Sequence, residues 1–421
     1  MAAPSPGRRP TLRRPLVRTT LAAGLLAASV VPLGAAPAAA DHAAPCVESE
    51  VPGSERLADT HTKDNAAHDR MHVEQAQEVA TGRGVKVAVI DSGVVGFEGL
   101  AVAGATTIAG VDPATRLSGH GTIVAGLIAG PRGVAPDAQV YDVKVYDAAE
   151  ADTTQGERAL TSAGIAAGIE AVIRAQPQQQ VDIVSISLAV PQPDPVLESA
   201  VARLVDQGVV VVAAAGNASA TPDEGFRGTP GNDADVYPAD YPGVLAVSAV
   251  PPGDEHPSAY VLPNLDTDVA APTVGAISVN ATGQVCEVDQ VATSWAAAEV
   301  TGVMALLKER FPRETPQQLV ARLQATTEGA GAPEGPDGEA ASPWTGAGVV
   351  QAHDALTREI EPGRKGKVET TVPEVRADAQ APPAPERVDL FGTPRAILLW
   401  SGLVAGSLLA LAFMLRPLLR R

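Results

Sequence analysis

Short runs of β-branched residues alternate with stretches of helical apolar spacing between Val85 and about Ala355. This alternation predicts a mostly parallel sheet with helices on both faces, because parallel strands need crossover connections and are buried on both sides. One α/β domain of about 270 residues is favoured over two. The predicted strands are 85–90, 140–146, 181–188, 209–214 and 244–250, and the predicted helices are 160–174 and 195–206.

The first forty residues have the composition of an export signal. Five arginines lie before residue 19, an apolar run follows at 21–33, and three alanines precede Asp41. This order of basic, apolar and small residues predicts a cleaved signal peptide at 1–40. An uncleaved membrane helix is the alternative, which Pro32, Gly34 and Pro37 disfavour because they cut the apolar run short.

A second apolar segment lies near the end of the chain. Residues 396–415 form a 20-residue stretch without charge, long enough as a helix to span a hydrocarbon core of about 30 Å. Arg416, Arg420 and Arg421 follow directly, and basic residues stay on the cytoplasmic side of a membrane. The pattern predicts one helix through the lipid bilayer of the cell membrane, a cytoplasmic tail at 416–421 and an extracytoplasmic main domain. A buried core helix is the alternative.

Two other segments complete the predicted organisation. Residues 41–80 are polar and are expected to form a helix-poor N-terminal extension, whereas residues 358–393 are rich in proline and in mixed charge. A composition of the second kind buries little surface and predicts an extended linker between domain and membrane. The main domain is therefore assigned to residues 81–357.

Charge and cysteine content narrow the classes of partner. The part predicted to be exported has 23 basic and 49 acidic residues, a net charge of about −26. This argues against binding to nucleic acid and against docking on anionic lipid headgroups. Cys46 and Cys286 both lie in this part, and an even count in an oxidising compartment favours a disulfide between them. Two free buried thiols are the alternative.

Two polar residues stand where α/β proteins place their sites, at or near the carboxyl ends of strands. Asp91 directly follows the first predicted strand in Val-Ile-Asp-Ser-Gly. His120 lies in Gly-His-Gly-Thr, where a glycine on each side lets other groups approach the imidazole. A turn-capping residue is an equal alternative for Asp91, and a surface histidine is the alternative for His120.

Two more candidates come later in the chain. Asn217 follows a valine run in Ala-Ala-Ala-Gly-Asn, where its amide either donates to an oxyanion or makes a turn. Ser294 enters an apolar helix in Ala-Thr-Ser-Trp-Ala-Ala. It is either an N-cap or a nucleophile whose backbone N–H and helix dipole face an incoming oxyanion.

The order Asp, His, Asn, Ser resembles that of the subtilisin-like serine proteases and differs from the orders in chymotrypsin and α/β-hydrolases. The motifs Asp-Ser-Gly, Gly-His-Gly-Thr, Ala-Ala-Gly-Asn and Thr-Ser-x-Ala-Ala are similar to those of that family. The resemblance implies a subtilisin-like sheet, peptide or protein substrates, and no metal or organic cofactor. The roles it implies are a catalytic triad of Asp91, His120 and Ser294, an oxyanion hole from Asn217 and the Ser294 N–H, and substrate binding by Ser187, Leu188, Ala189, Ala214 and Gly216.

The whole layout is similar to that of the mycosins, membrane-anchored proteases of this family that are associated with type VII secretion in actinobacteria. This resemblance implies a type VII secretion membrane complex as a partner. Three departures stand beside it: Ala292 and Ala189 replace glycines of the family pattern, and Ala298 replaces a proline. Together with the predicted membrane anchor, they motivate a second hypothesis, a catalytically weak subunit that stabilises a secretion complex. A general surface protease is a third.

The short distance between the signal and Asp91 bears on regulation. Only 50 residues, 41–90, separate the predicted cleavage point from the end of the first strand. We therefore expect no autoinhibitory prodomain. A Cys46–Cys286 disulfide would instead hold the extension close to Ser294, which lies eight residues after Cys286.

Overall fold

The computed structural model describes residues 44–47, 65–149, 151–218, 226, 228–229, 233–328, 342–368 and 392–416. The chain divides into two units, Met1–Val368 and Glu369–Arg421. The predicted signal peptide, residues 369–391 of the predicted linker and the tail after Arg416 lie outside the described residues.

The described residues form twelve strands and nine α-helices. The strands are β1 (Ala44–Pro45), β2 (Lys86–Asp91), β3 (Ala101–Thr107), β4 (Gln139–Lys144), β5 (Ile183–Ile186), β6 (Val210–Ala214), β7 (Gly228–Thr229), β8 (Asp233–Ala234), β9 (Val244–Val250), β10 (Val269–Pro272), β11 (Ile277–Val279) and β12 (Val285–Glu287). The helices are α1 (Ala66–Met71), α2 (Val73–Gln77), α3 (His120–Ile128), α4 (Ser162–Gln179), α5 (Pro195–Asp206), α6 (Thr293–Arg310), α7 (Pro316–Gln324), α8 (Ala352–Thr357) and α9 (Gly392–Leu415).

Seven strands form one sheet in the order β10-β9-β6-β5-β2-β4-β3, and every neighbouring pair is parallel. Alternate residues of β2 point to opposite faces. Val87 and Val89 belong to the core cluster that contains α3 and α6, whereas Ala88 and Ile90 belong to the cluster that contains α4 and α5. The predicted parallel sheet with helices on both faces is confirmed.

The starts of two helices follow from their sequences. Asp194 caps α5 because its carboxylate accepts the Val196 N–H at 2.8 Å, and Pro195 occupies the first helical position. Thr315 and Gln318 form a capping box at the start of α7. The predicted helix at 195–206 coincides with α5, and its start agrees with the cap formed by Asp194 and Pro195.

The expectation of a helix-poor segment at 41–80 is wrong over residues 66–77. Helices α1 and α2 lie there, and Ala67, Met71 and Val73 are fully buried in the core cluster that contains α6. His68 Nε2 lies 3.3 Å from Glu299 Oε2, and both side chains are buried. Tertiary packing stabilises such short helices rather than their intrinsic propensity, so the sequence carried little local signal.

Residues 358–368, predicted as the start of the linker, lie in the first unit. Arg322 Nη2 donates to the Ile360 carbonyl at 2.8 Å, and Gln318 Nε2 donates to the Pro362 carbonyl at 2.7 Å. Side chains of α7 therefore hold the backbone that follows α8. The proline-rich composition hid this, because the bonds use backbone carbonyls and not apolar side chains.

In the second unit, α9 contains Pro394–Leu415, a helix of 22 residues that is long and apolar enough to cross a membrane. The described side chains of this helix are exposed. The predicted span at 396–415 falls entirely within it.

The predicted disulfide between Cys46 and Cys286 is confirmed. It joins Cys46, the residue after β1, to Cys286 in β12. Strands β1 and β12 pair in parallel with Ala44 opposite Cys286, and β11 completes this small sheet. The bond fastens the first described residues of the chain to the strand that precedes α6.

Candidate active site

Asp91 and His120 lie in direct contact at the carboxyl edge of the large sheet. Asp91 ends β2 and is fully buried, and His120 begins α3 with its Nδ1 2.9 Å from both carboxylate oxygens of Asp91. His120 is only 5% exposed, so the surface alternative is wrong. A Cβ on Gly121 would lie 2.7 Å from the Gly93 carbonyl oxygen, so this glycine lets α3 approach the strand.

Two further donors reach the Asp91 carboxylate. The Ser92 N–H donates to Oδ1 at 2.7 Å, and the Tyr146 hydroxyl lies 3.3 Å from the same oxygen. The Ser92 N–H belongs to the next residue, whereas a turn-capping aspartate accepts from the N–H two residues on, so this contact does not support the turn alternative. Tyr146 was not predicted, because an aromatic residue after a buried strand gives no signal beyond that of a core residue.

The start of α6 lies beside His120. Trp295 lies against His120, with ring centroids 4.7 Å apart and planes inclined by 32°. The adjacent Ser294 is 9% exposed and is the second residue of α6. The N-cap alternative for Ser294 is wrong, because the N-cap is Ala292. Trp295 was another residue that sequence reasoning did not assign to the site.

Asn217 binds the first backbone N–H of α6. Its Oδ1 accepts from the Thr293 N–H at 2.7 Å and lies 3.1 Å from Thr293 Oγ1. Because only the amide oxygen can accept, these bonds direct the Nδ2 donor end of Asn217 away from Thr293. The methyl side chain of Ala292 cannot cap the helix, and the N–H groups of a first turn, including that of Ser294, have no partner within the helix.

Strands β5 and β6 are neighbours in the sheet, with Ile186 opposite Ala213. The segments that leave their carboxyl ends therefore begin side by side. The predicted substrate-binding residues lie on these segments, with Ser187, Leu188 and Ala189 after β5, Ala214 at the end of β6, and Gly216 two residues later. Gly216 has a φ of +101°, and a Cβ there would lie 2.9 Å from Leu262 Cδ1, which explains why this position is glycine.

A cavity of about 650 Å³ opens beside Asn217 and Ala292. Its charged lining residues are Glu255 and Asp289. Ala292 has extended backbone angles, φ −147° and ψ 139°, so this position does not require the glycine of the family pattern. Its methyl group lies at the cavity wall.

A second buried carboxyl lies next to the Asp91 strand. Asp142 on β4 pairs with Val89 on β2 and is 4% exposed. Burial, together with a smaller effect of the nearby negative charge of Asp91, raises the pKa of Asp142 to about 6. Among the described residues, no group of three or more His, Cys, Asp or Glu side chains is arranged to hold a metal ion.

A sequence model of the subtilase family of peptidases matches residues 82–348. The chain belongs to the subtilase family. It is similar to a thermostable alkaline protease of Halalkalibacterium halodurans, with 34% identity over 60% of this chain and 64% of that protein. It is also similar to subtilisin E of Bacillus subtilis, with 35% identity over 58% of this chain and 61% of that protein. The aligned part thus spans less than two thirds of these two subtilases.

Two solved structures extend the comparison. The crystal structure of MycP1 from the ESX-1 type VII secretion system has a TM-score of 0.60 at 27% identity, and it covers 77% of this chain and 91% of that one. The MycP3 protease from the type VII (ESX-3) secretion system has a TM-score of 0.56 at 30% identity, covering 75% and 93%. Both are mycosins. These TM-scores show that the subtilase fold of this chain is similar to theirs.

Proposed function

We propose that this subtilase is a serine endopeptidase whose nucleophile is Ser294. The observation that carries the proposal is the contact of His120 Nδ1 with the buried Asp91 carboxylate. It is supported by the contact of the same imidazole with Trp295, the residue that directly follows Ser294. Membership of the peptidase family supports the same chemistry.

In the proposed mechanism, His120 Nε2 takes the Ser294 proton as the serine oxygen attacks a peptide carbonyl. Asp91 holds the tautomer that leaves Nε2 unprotonated and stabilises the imidazolium that forms. The resulting oxyanion is bound by Asn217 Nδ2 and the Ser294 N–H, which lie at the start of α6 where the helix dipole is positive. The imidazolium then protonates the leaving amine, and water releases the acyl group.

The nucleophile is tested by treating the full-length protein in detergent with a fluorophosphonate probe. We expect labelling that Ser294→Ala abolishes. Ser258→Ala is the matched control, because the Ser258 hydroxyl also contacts an imidazole, His256 Nδ1 at 2.9 Å, but on the exposed surface. A folded wild-type protein that takes up no label would refute the endopeptidase proposal and favour the structural-subunit hypothesis.

The oxyanion role of Asn217 is tested by Asn217→Ala. Loss of one preorganised donor lowers turnover by about 10²–10³-fold, and we expect KM to change much less. Because Asn217 also caps α6, thermal unfolding should be measured beside turnover. An unchanged kcat in a folded variant would remove Asn217 from the oxyanion hole.

We also propose that α9 anchors the protein in the cell membrane, with the peptidase domain outside and the tail inside. The length and apolarity of Pro394–Leu415 support the anchor, and the basic residues that follow it support the orientation. Similarity to MycP1 and MycP3 supports a mycosin-like association with a type VII secretion membrane complex.

The location is tested by digesting intact cells with an added protease. The domain should be removed from cells that keep their membrane intact, and a tag placed after Arg421 should survive. The association is tested by comparing a gene deletion with Ser294→Ala. Loss of type VII export in the deletion alone indicates a structural role, loss in both indicates that catalysis is needed, and loss in neither contradicts the association.

A further inference from the structure

Tyr146 makes a contact that the proposed mechanism does not yet use. Its hydroxyl lies 3.3 Å from Asp91 Oδ1, and because a carboxylate oxygen can only accept, the hydroxyl is the donor. The ring is 3% exposed and packs in the core cluster on the α4 and α5 face of the sheet. We propose that Tyr146 is a positioning residue that determines which oxygen of Asp91 accepts the hydrogen bond from His120 Nδ1–H. The inference rests on the proposed serine-protease function.

The Asp91 carboxylate has a limited number of acceptor sites. Each carboxylate oxygen has two lone pairs, and on Oδ1 the Ser92 N–H at 2.7 Å and the Tyr146 hydroxyl occupy them. His120 Nδ1 carries one proton and lies 2.9 Å from both oxygens, so distance alone does not select between them. Because two donors already bind Oδ1, the hydrogen bond from His120 Nδ1–H is directed to Oδ2. One orientation of the imidazole is thereby selected.

The backbone holds Tyr146 in place. Asp91 is paired with Lys144, the last residue of β4, and the Val145 N–H donates to the Asp91 carbonyl at 2.8 Å. The Lys144 ammonium group is buried and donates to Asp147 Oδ1 at 2.7 Å and to the Asp112 carbonyl at 2.8 Å. The chain before Tyr146 is therefore fixed to the strand that ends in Asp91, and the chain after it is fixed to Lys144 of β4.

Removal of the hydroxyl has two expected effects. Without the hydroxyl, His120 Nδ1–H can donate its hydrogen bond to either oxygen of Asp91, and the imidazole loses its single orientation. The carboxylate also keeps more of its negative charge, so it stabilises the imidazolium more strongly and the imidazole stays protonated to a higher pH. Both effects act on the reaction and not on substrate binding.

The test measures ester hydrolysis by the full-length protein in detergent as Tyr146→Phe. We expect kcat to fall about 5–20-fold while KM stays within about two-fold, because the lost interaction acts on the reacting groups. The acid limb of the pH profile of kcat/KM should move up by about half a pH unit. Tyr141→Phe is the matched control, since Tyr141 is a buried tyrosine nearer the other end of β4, opposite Ala88.

A second measurement keeps the shape of the side chain. Fluorotyrosine at position 146 has a more acidic hydroxyl and donates more strongly, so the acid limb should move to lower pH, opposite to Tyr146→Phe. An acid limb that stays in place in both proteins overturns the inference, even if kcat falls. Failure of wild-type protein to take up the fluorophosphonate at Ser294 would instead refute the proposed function.

Discussion

Helices α6 and α9 are both largely apolar around their circumference, yet they have opposite surroundings. In α6 every residue from Thr293 to Leu307 is buried within the domain, whereas the described side chains of α9 are exposed. The buried part of α6 contains four alanines and a glycine, and α9 contains four alanines and three glycines. Small residues are therefore frequent in both helices, and side-chain size does not explain the difference in their surroundings.

The polar side chains of the two helices differ in their surroundings. In α6, Glu299 faces His68. The Thr301 hydroxyl bonds the Ala297 carbonyl of its own helix at 2.7 Å and also lies 3.2 Å from Ser185 Oγ, so polar groups of α6 reach other elements. In α9, Ser407 donates to the Leu403 carbonyl of its own helix at 2.8 Å. A helix in hydrocarbon must satisfy its polar groups internally. Apolarity alone thus does not distinguish a core helix from a membrane helix. A buried charged side chain that faces another element does, because α6 has Glu299 whereas residues 396–415 of α9 have no charge.

The largest expected effect comes from placing a charge in each helix. Val303→Arg buries an unpaired guanidinium at a fully buried position of α6, and the cost of several kcal/mol approaches the whole stability of a domain of about 5–15 kcal/mol. We expect an unfolded protein without fluorophosphonate labelling. Val404→Arg in α9 costs about 2.5–3.5 kcal/mol of membrane insertion, and should reduce the membrane-bound fraction while labelling persists. A folded Val303→Arg protein would contradict the burial of α6 within the domain.

A second, smaller effect concerns pH. The pKa of Asp142 is about 6 in the folded protein against an ordinary value of 3.8, so the unfolded chain loses this proton first as pH rises. The stability contributed by the neutral carboxyl is complete below about pH 4 and is lost as pH rises through about 6. Asp142→Asn should raise the free energy of unfolding at pH 8 by up to about 3 kcal/mol and change it little at pH 4.

Thermal unfolding of the full-length protein between pH 4 and 8 measures the effect, with the exposed Asp254→Asn as control. Burial also raises the pKa values of Asp240 and Asp268 to about 6, so part of the wild-type pH dependence should remain in the variant. An Asp142→Asn profile parallel to that of wild type would show that this carboxyl does not contribute.

The smallest effect compares one added methyl group in each helix. A Cβ on Gly302 of α6 would lie 2.5 Å from Val134 Cβ, whereas a Cβ on Gly402 of α9 would meet nothing within 4 Å. Gly302→Ala should lower the free energy of unfolding by about 1–3 kcal/mol through overpacking. Gly402→Ala should leave domain unfolding unchanged. Denaturant unfolding checks both, and equal values for the two variants would contradict the close packing of α6.

The edges of the sheet were harder to predict than its centre for a physical reason. The five central strands are buried and form continuous β-branched or apolar runs, which the sequence displays directly. Strand β3 lies at one edge with half-exposed Ala, Gly and Thr, so no apolar run marks it. Strand β10 at the other edge has four residues and ends in Pro272. Exposure in one case and brevity in the other removed the signal.

Residues with local signals were found in the candidate site, and residues that act through distant packing were missed. Asp91, His120, Asn217 and Ser294 each stand at a strand end or helix start beside small residues. Tyr146 follows β4 and contacts Asp91 at the end of the neighbouring strand β2. An aromatic residue in a buried run is more often part of the core, so nothing in the sequence assigned it to the site. The contact of His68 with Glu299 joins segments that lie far apart along the chain, and no local pattern encodes it.

The Cys46–Cys286 bond closes a covalent ring across a sequence separation of 240 residues. Asp91 and His120 lie inside this ring and Ser294 lies just outside it. If a protease cuts the ring once between His120 and Cys286, the fragment with Asp91 and His120 stays bonded through Cys46 to the fragment with Ser294. A nicked molecule would therefore migrate as one species without reductant and as two with it, and its two halves could not diffuse apart under oxidising conditions.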